Sequence, residues 1–206
     1  MKGIEPRSLT EHRASPGATY SDFAGIEDLR RALVAEQRSL CCYCMKRIRP
    51  EFHGMKVEHW HPQSLFHEEQ LAYWNLLGAC NGGEGQPFKE LTCDSRKQDR
   101  LLSRNPANPA HRIESYIKFF GDGRIGSTNS QLHAELGDIL NLNRWRLVRN
   151  RKSVLEAFVR SLPRERALTV AKLHKMMDYW SGASGAELPE YAAVVVYWLR
   201  KRLARV

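Results

Sequence analysis

The sequence predicts an α+β protein, on the basis of three observations. Short, broken apolar segments between residues 55 and 93 are typical of strands joined by loops. After residue 130 the apolar residues recur at a spacing near that of an α-helix. Two cysteine pairs, at 41 and 44 and at 80 and 93, bracket the predicted strands. We therefore expect a small mixed core followed by a helical lobe.

The first half of the chain is predicted to have a strand–strand–helix order. Residues 1–25 should form an irregular arm, because prolines and glycines interrupt any helix there. An amphipathic helix is expected over 26–39 and leads directly into the first cysteine pair. Strands are expected at 56–59 and near 76–79, and a helix from Asp94 to Ser103.

The second half is predicted to hold a hairpin and then helices only. The hairpin covers 113–125 and turns at Gly121-Asp122-Gly123. Helices are expected over residues 132–140, 144–162, 164–180 and 189–203. The last helix is apolar nearly all round in its middle, so it should be buried. The predicted domains are an arm (1–25), a core (26–111) and a lobe made of the hairpin and helices (112–206).

Charge and cysteine usage narrow the class of partner. The 206 residues carry a net charge of +9, which favours a polyanionic partner such as nucleic acid. Closely spaced cysteines favour metal binding in a reducing cytosol, so a cytoplasmic location is expected. No secretory signal follows Met1, and the longest apolar run, Tyr191 to Leu199, is too short to span a bilayer. We expect no membrane partner.

Four cysteines are candidates for one tetrahedral zinc site, because thiolates are soft ligands and four complete a closed shell. They are Cys41, Cys44, Cys80 and Cys93. Cys-x-x-Cys is the usual spacing for two ligands of one ion, whereas the second pair is separated by twelve residues. Two alternatives are four buried, unligated cysteines and a site in which His53 or His61 replaces one thiolate. Cys42 is expected to lie outside the site.

A polar run after the first pair has a different chemistry. Glu58 beside His59 combines a hard carboxylate with an imidazole, which suits Mg²⁺ and the activation of a water. His59 is the candidate general base and His61 its rival, while a structural histidine is the alternative for His59. Asp94 is either a second metal ligand or a helix N-cap. Asn75 either ties down the loop that carries His59 or is an ordinary turn residue.

Basic residues supply candidates for phosphate contacts, since each neutralised phosphate releases counterions. The candidates are Lys97, Arg144, Arg146, Arg149, Arg151 and Lys152. The stretch from 144 to 152 contains no acidic residue, and Trp145 and Leu147 interleave with the cations. A solvated helix face and a contact with an acidic partner are the alternatives.

Together these residues resemble the HNH (ββα-metal) endonuclease motif in its zinc-bearing form. The resemblance rests on Cys-x-x-Cys, Glu-His-x-x-Pro, Asn-Leu-Leu, Cys-Asn and Cys-Asp-x-x-Lys, and it covers roughly residues 41–103. It places Glu58 at the family's metal-ligand position, His59 at the general base and Asn75 at the bracing asparagine. Asp94 stands at the last position, which is usually His or Asn. That substitution and the wide spacing of the second cysteine pair are the departures.

The resemblance implies a structural zinc held by the four cysteines and a catalytic Mg²⁺ or Mn²⁺ held by Glu58 and Asp94. His59 would deprotonate the attacking water, and the products would carry 5′-phosphate and 3′-hydroxyl ends. Two alternatives remain open. One is a zinc-stabilised nucleic-acid-binding module without catalysis, and the other is an interaction subunit whose basic helices dock a partner.

A narrower resemblance extends over most of the first 150 residues. The segments Ile-Glu-Pro-Arg-Ser-Leu at 4–9, Gly-Ala-Thr-Tyr at 17–20 and Leu-Asn-Leu-Asn at 140–143, with Arg149, look like the Septu-type anti-phage HNH subunits, which also occur beside retrons. This similarity implies a defence nuclease that acts on nucleic acid, with DNA favoured over RNA. It also implies a separate ABC/SMC-like ATPase partner that holds the nuclease in check until infection.

Overall fold

The computed structural model describes residues 2–163, 168–183 and 187–205. Within these ranges the fold is α+β, with eight α-helices and two small antiparallel sheets. The helices are α1 (Arg7–Arg13), α2 (Ile26–Glu36), α3 (Cys93–Lys97), α4 (Ile113–Tyr116), α5 (Ser130–Ala134), α6 (Trp145–Ser161), α7 (Val170–Ser181) and α8 (Ala192–Leu203). The strands are β1 (Lys56–His59), β2 (Leu76–Ala79), β3 (Ile117–Phe119) and β4 (Ile125–Ser127).

The first sheet pairs the two strands predicted from the broken apolar pattern. β1 runs antiparallel to β2, with Glu58 opposite Leu77 and His59 opposite Leu76. Every residue of β2 is buried, and α2 packs against this strand. The Gln37 side chain, just after α2, both accepts from and donates to the backbone of Gly78, at 2.6 and 2.7 Å. These contacts join α2 to the sheet and position the turn between them.

Three predicted boundaries in the first half differ from the structure, and the first is the end of α2, which lies at Glu36 rather than at residue 39. The arm is not wholly irregular, because α1 forms there and buries Leu9 completely. Its stability comes from packing against α2, which local composition does not show. The helix predicted from Asp94 to Ser103 is much shorter, since α3 ends where Gln98 takes a φ of 52°. With a ψ of -132° as well, Gln98 leaves the helical region and turns the chain away from the helix axis.

The predicted hairpin and helices are present with adjusted limits. β3 and β4 form the hairpin, but residues 113–116 before β3 are helical. The helix expected over 132–140 is α5 followed by a wider π-helical turn over Glu135–Ile139. The helix expected over 164–180 is seen as α7, and residues 164–167 lie outside the described part.

The core is continuous across the predicted boundary at residue 111. One cluster of buried side chains includes Leu29 of α2, Leu77 of β2, Leu132 of α5 and Val194 of α8. α8 is buried as its composition predicted, and its other face packs with Phe158 in a second, smaller cluster. In the described ranges, we find no helix with the length and apolar character needed to cross a bilayer.

Candidate functional site

Four buried cysteines meet where the turn after α2, the end of β2 and the start of α3 come together. Their Sγ atoms all lie within 4.8 Å of one another. The Cys41–Cys93 and Cys44–Cys80 sulfur distances are 3.9 and 3.6 Å. Zn–S bonds of about 2.3 Å in a tetrahedron separate the sulfurs by roughly 3.8 Å. The cluster can therefore hold a metal ion such as zinc, with the four residues predicted from spacing.

The alternative ligands lie outside this cluster. His53 is exposed and its ring packs edge-on against Phe52. His61 is instead hydrogen-bonded to Glu69, at 2.5 Å. Cys42 is also outside, as predicted, and its backbone N–H donates to the Gly78 carbonyl at 3.0 Å. Burial raises the pKa of the Cys42 thiol well above its usual value, so this residue is a protonated packing group.

The backbone holds the ligand-bearing segments in place. In the first turn, the Cys41 N–H donates to the Lys46 carbonyl at 2.9 Å, and Met45 takes a φ of 63°. At the start of α3, the Cys93 N–H donates to the Leu140 carbonyl, also at 2.9 Å. Asp94 follows Cys93 directly, so the anchoring of Cys93 also fixes the position of this carboxylate.

Two carboxylates that are distant in sequence face each other beside the cluster. Glu58 of β1 is 2% exposed, and the Asp94 carboxylate of α3 is near enough to affect its charge. Burial, together with the nearby Asp94 carboxylate, raises the pKa of Glu58 well above its usual value. Lys97 Nζ, 2.9 Å from Glu58 Oε1, and the Tyr43 hydroxyl, which donates to the same oxygen at 2.6 Å, act in the opposite direction. Lys56 Nζ lies 3.3 Å from Asp94.

This carboxylate pair fits a divalent cation by its chemistry. Two acidic oxygens in a largely buried setting repel each other, and a proton or a cation between them relieves that repulsion. The N-cap of α3 is Thr92, so Asp94 sits in the first helical turn rather than in the capping position. Asp94 is therefore not the N-cap residue of α3, and its role as a metal ligand stays a prediction.

His59, the next residue after Glu58, is held in one orientation. Its Nε2 lies 2.9 Å from the Gln70 carbonyl, and the Tyr20 ring packs edge-on at 4.6 Å. The Gln63 side-chain nitrogen also lies 2.9 Å from Nε2, whereas Nδ1 has no hydrogen bond to any described residue. When Nε2 carries the proton and donates to the Gln70 carbonyl, the lone pair is on Nδ1. Burial lowers the pKa of His59, so the ring is neutral near physiological pH.

The rival histidine is placed differently. The His61 ring stacks between Trp60 and Phe66, at 4.1 and 4.2 Å, and its Nδ1 is bonded to Glu69. Asn75 is fully buried and grips the backbone of His61, accepting from its N–H at 2.7 Å and donating to its carbonyl at 3.0 Å. Asn75 thus ties down the loop after β1, as predicted for a bracing residue.

Two predicted phosphate-binding residues are structural instead. Lys97 has no exposed side-chain surface, and its ammonium group also donates to the His59 carbonyl at 2.9 Å. Arg151 is 2% exposed and donates to the carbonyls of Gly123 and Leu142, both at 2.7 Å. Neither side chain reaches the surface. Their helical spacing resembles that of solvated cations, and only tertiary packing distinguishes a buried cation from a solvated one.

The other predicted basic residues lie at or near the surface. Arg144 pairs with Glu90, its Nε lying 2.8 Å from the carboxylate. Arg146 and Arg149 are exposed and lie over the Trp145 ring, and Lys152 is 3.7 Å from Glu156. These side chains remain available to a polyanion, Arg144 less so because of its ion pair.

Sequence reasoning missed two tyrosines. Tyr43 lies between Cys41 and Cys44, so the sequence itself indicates that it is close to the site. Tyr20 belongs to the arm and reaches His59 only because its backbone N–H donates to the Gln70 side chain at 2.9 Å. Gln70 therefore holds both Tyr20 and His59, and no local pattern predicts that contact.

The site combines a four-thiol cluster, two facing carboxylates and a neutral, oriented histidine. No protein-family model matches this chain, and no curated protein matches it either.

Proposed function

We propose that this protein is a metal-dependent HNH endonuclease that hydrolyses phosphodiester bonds of nucleic acid. The observation that carries the proposal is the convergence of Glu58 and Asp94 beside a neutral His59 with a free Nδ1. These residues lie on β1 and α3, and the order β1–β2–α3 is that of a ββα unit. A metal-dependent hydrolytic site needs a base and metal ligands, and these residues would supply both.

Glu58 and Asp94 would hold the catalytic Mg²⁺ or Mn²⁺. Such an ion supplies charge stabilisation for a phosphate that is being attacked. Tyr43 and Lys97 keep the Glu58 carboxylate oriented, because both contact the same oxygen. Lys56 holds Asp94 in the same way from the sheet side.

His59 would act as the general base through Nδ1. In the tautomer whose Nε2–H donates to the Gln70 carbonyl, the lone pair is on Nδ1, and the lowered pKa of His59 keeps that lone pair free to take a proton from water. The geometry favours His59 over His61, since Glu69 occupies Nδ1 of His61 and aromatic rings cover both its faces. His61 contributes to the aromatic packing beside the site instead.

The four cysteines would hold zinc as a structural ion. Four thiolates close the coordination shell and leave no position for a substrate. The zinc would join the turn after α2 to β2 and α3, which are the elements that carry the proposed catalytic residues. In this arrangement one metal stabilises the fold and another serves the reaction.

The Septu-type resemblance extends the proposal to anti-phage defence. The nuclease would work in the cytoplasm with an ABC/SMC-like ATPase subunit and would cut DNA in preference to RNA. The net charge of +9 suits either polymer. Co-purification with an ATPase encoded beside this gene would test that partnership directly.

The decisive experiment compares the wild type with His59→Ala and, as a matched control, His53→Ala, an exposed histidine on the loop before β1. Each protein is incubated with plasmid DNA and with total RNA in Mg²⁺ or Mn²⁺, with and without the ATPase. We expect cleavage by the wild type and by the control but not by His59→Ala. Equal cleavage by His59→Ala would remove His59 from the mechanism. Absence of cleavage in every condition, with zinc present, would favour a binding module.

A further inference from the structure

A surface beside α3 and the start of α6 exposes two aromatic rings among cations. Phe88 is 48% exposed and Trp145 is 47% exposed. We call this surface the basic–aromatic face. It is formed by Phe88, Lys89, Arg96, Trp145, Arg146 and Arg149.

The two rings lie on segments that are distant in sequence but contact each other in space. Phe88 is in the 3-10 turn that ends at Glu90, and Glu90 accepts from Arg144 Nε at 2.8 Å. Arg144 directly precedes Trp145. The Asn141 side chain adds a hydrogen bond of 3.1 Å to the backbone of the same turn. The turn and the start of α6 are thus joined by an ion pair and an amide contact.

Guanidinium groups accompany both rings. Arg96 lies 3.9 Å from the Phe88 ring centroid, and Arg146 and Arg149 lie 5.3 and 5.0 Å from that of Trp145. Across the described ranges, none of these arginines, nor Lys89, forms an ion pair with a carboxylate. The face therefore offers flat apolar surface together with positive charge that no acidic group neutralises.

We propose that the basic–aromatic face binds single-stranded nucleic acid. Unpaired bases would stack on Trp145 and Phe88, while phosphates would contact the flanking cations. Bases in a duplex are stacked on one another and cannot cover a protein ring, so the exposed rings select unpaired bases. The inference rests on the proposed function in one respect. α3 carries both Arg96 and Asp94, so a strand bound here is a substrate held at the helix of the candidate site.

Binding is measured with the full chain carrying His59→Ala and without added divalent cation, so that nucleic acid stays intact. The probes are labelled oligothymidylate and oligouridylate of about 16 nucleotides, the upper site size for single-strand-binding folds, and a duplex of equal length. Fluorescence anisotropy gives Kd for this protein and for Trp145→Ala, Phe88→Ala and Arg149→Gln. Tyr179→Ala is the matched control, because Tyr179 is 58% exposed on α7, away from the face.

We expect Trp145→Ala and Phe88→Ala each to weaken single-strand binding about fivefold or more. Arg149→Gln should reduce the slope of log K against log salt by about 0.7. Tyr179→Ala should bind as the parent does. Weaker binding of either polymer by Trp145→Ala and Phe88→Ala supports the proposal. The polymer that the parent binds more tightly shows whether DNA or RNA is preferred. Unchanged affinity of Trp145→Ala, an equal loss in Tyr179→Ala, or duplex bound as tightly as single strands overturns it.

The two proposals fail separately in this design, because binding is scored without cleavage. A wild-type protein that binds single strands through Trp145 but never cuts them contradicts only the endonuclease proposal. A protein that cleaves, and whose Trp145→Ala variant keeps full affinity, contradicts only the assignment of the basic–aromatic face.

Discussion

Removing one thiolate of the cysteine cluster should unfold the protein. Cys44 is 4% exposed, and its sulfur lies 3.6 Å from that of Cys80, so a serine there breaks a closed, buried shell. Structural zinc contributes about 10–16 kcal/mol of apparent binding free energy in small zinc-folded peptides, and that energy is folding free energy. A domain has only about 5–15 kcal/mol of net stability. The first sheet has two short strands, which are marginal without support. We therefore expect Cys44→Ser to lose zinc and the cooperative thermal transition.

The chain provides a matched control two residues away. Cys42 is outside the cluster, so Cys42→Ser should keep one zinc per chain and a Tm within a few degrees of the parent. Zinc is counted by elemental analysis, and unfolding is followed by circular dichroism. A Cys44→Ser protein with the parent's zinc content and Tm would refute the argument, as would Cys42→Ser behaving like Cys44→Ser.

Three further predictions concern buried polar groups, each measured by urea denaturation of the zinc-loaded protein. Lys97→Met should lower the free energy of unfolding by about 3 kcal/mol because it leaves Glu58 buried without its ammonium partner. Adding Glu58→Gln should recover most of that loss. A loss below about 1 kcal/mol would count against the ion pair. Asn75→Ala should lower the free energy of unfolding by about 2–3 kcal/mol, since the backbone N–H and carbonyl of His61 lose their hydrogen bonds. Stability near that of the parent would show that these hydrogen bonds are not needed. Arg151→Met should lower stability without changing nucleic-acid affinity, whereas Arg149→Met should lower nucleic-acid affinity without changing stability. If both variants lost stability, or both lost affinity, the assignment of Arg151 as buried and Arg149 as exposed would be contradicted.

The cysteine cluster shows how far sequence reasoning reached. Cys-x-x-Cys spacing identified Cys41 and Cys44 as a ligand pair, and Cys80 and Cys93 were predicted to complete a closed shell of four thiolates. The structure confirms that the four thiols gather, and it also confirms Cys42 as the residue left out. Ligand spacing is a local property, so it can be recognised without knowledge of the fold.

Tertiary contacts altered the predictions that depended on burial. Lys97 and Arg151 were predicted to contact phosphate because a helical pattern alone does not show which side of a helix is covered. The arm was predicted to be irregular because the packing of Leu9 in the core is invisible locally. Likewise, the early end of α3 depends on the positive φ of Gln98, a residue with no strong preference for it.

The amino-acid sequence by itself determined which chemical groups this protein has to work with: soft thiols in close pairs, a carboxylate beside an imidazole, and an excess of positive charge. Only the tertiary structure decided which of them meet. Glu58 faces Asp94 because β1 and α3 pack beside one cysteine cluster, and His59 is oriented by Gln70 across a loop. Contacts between residues distant in the chain depend on the packing of the whole core, whereas ligand spacing and charge are written locally.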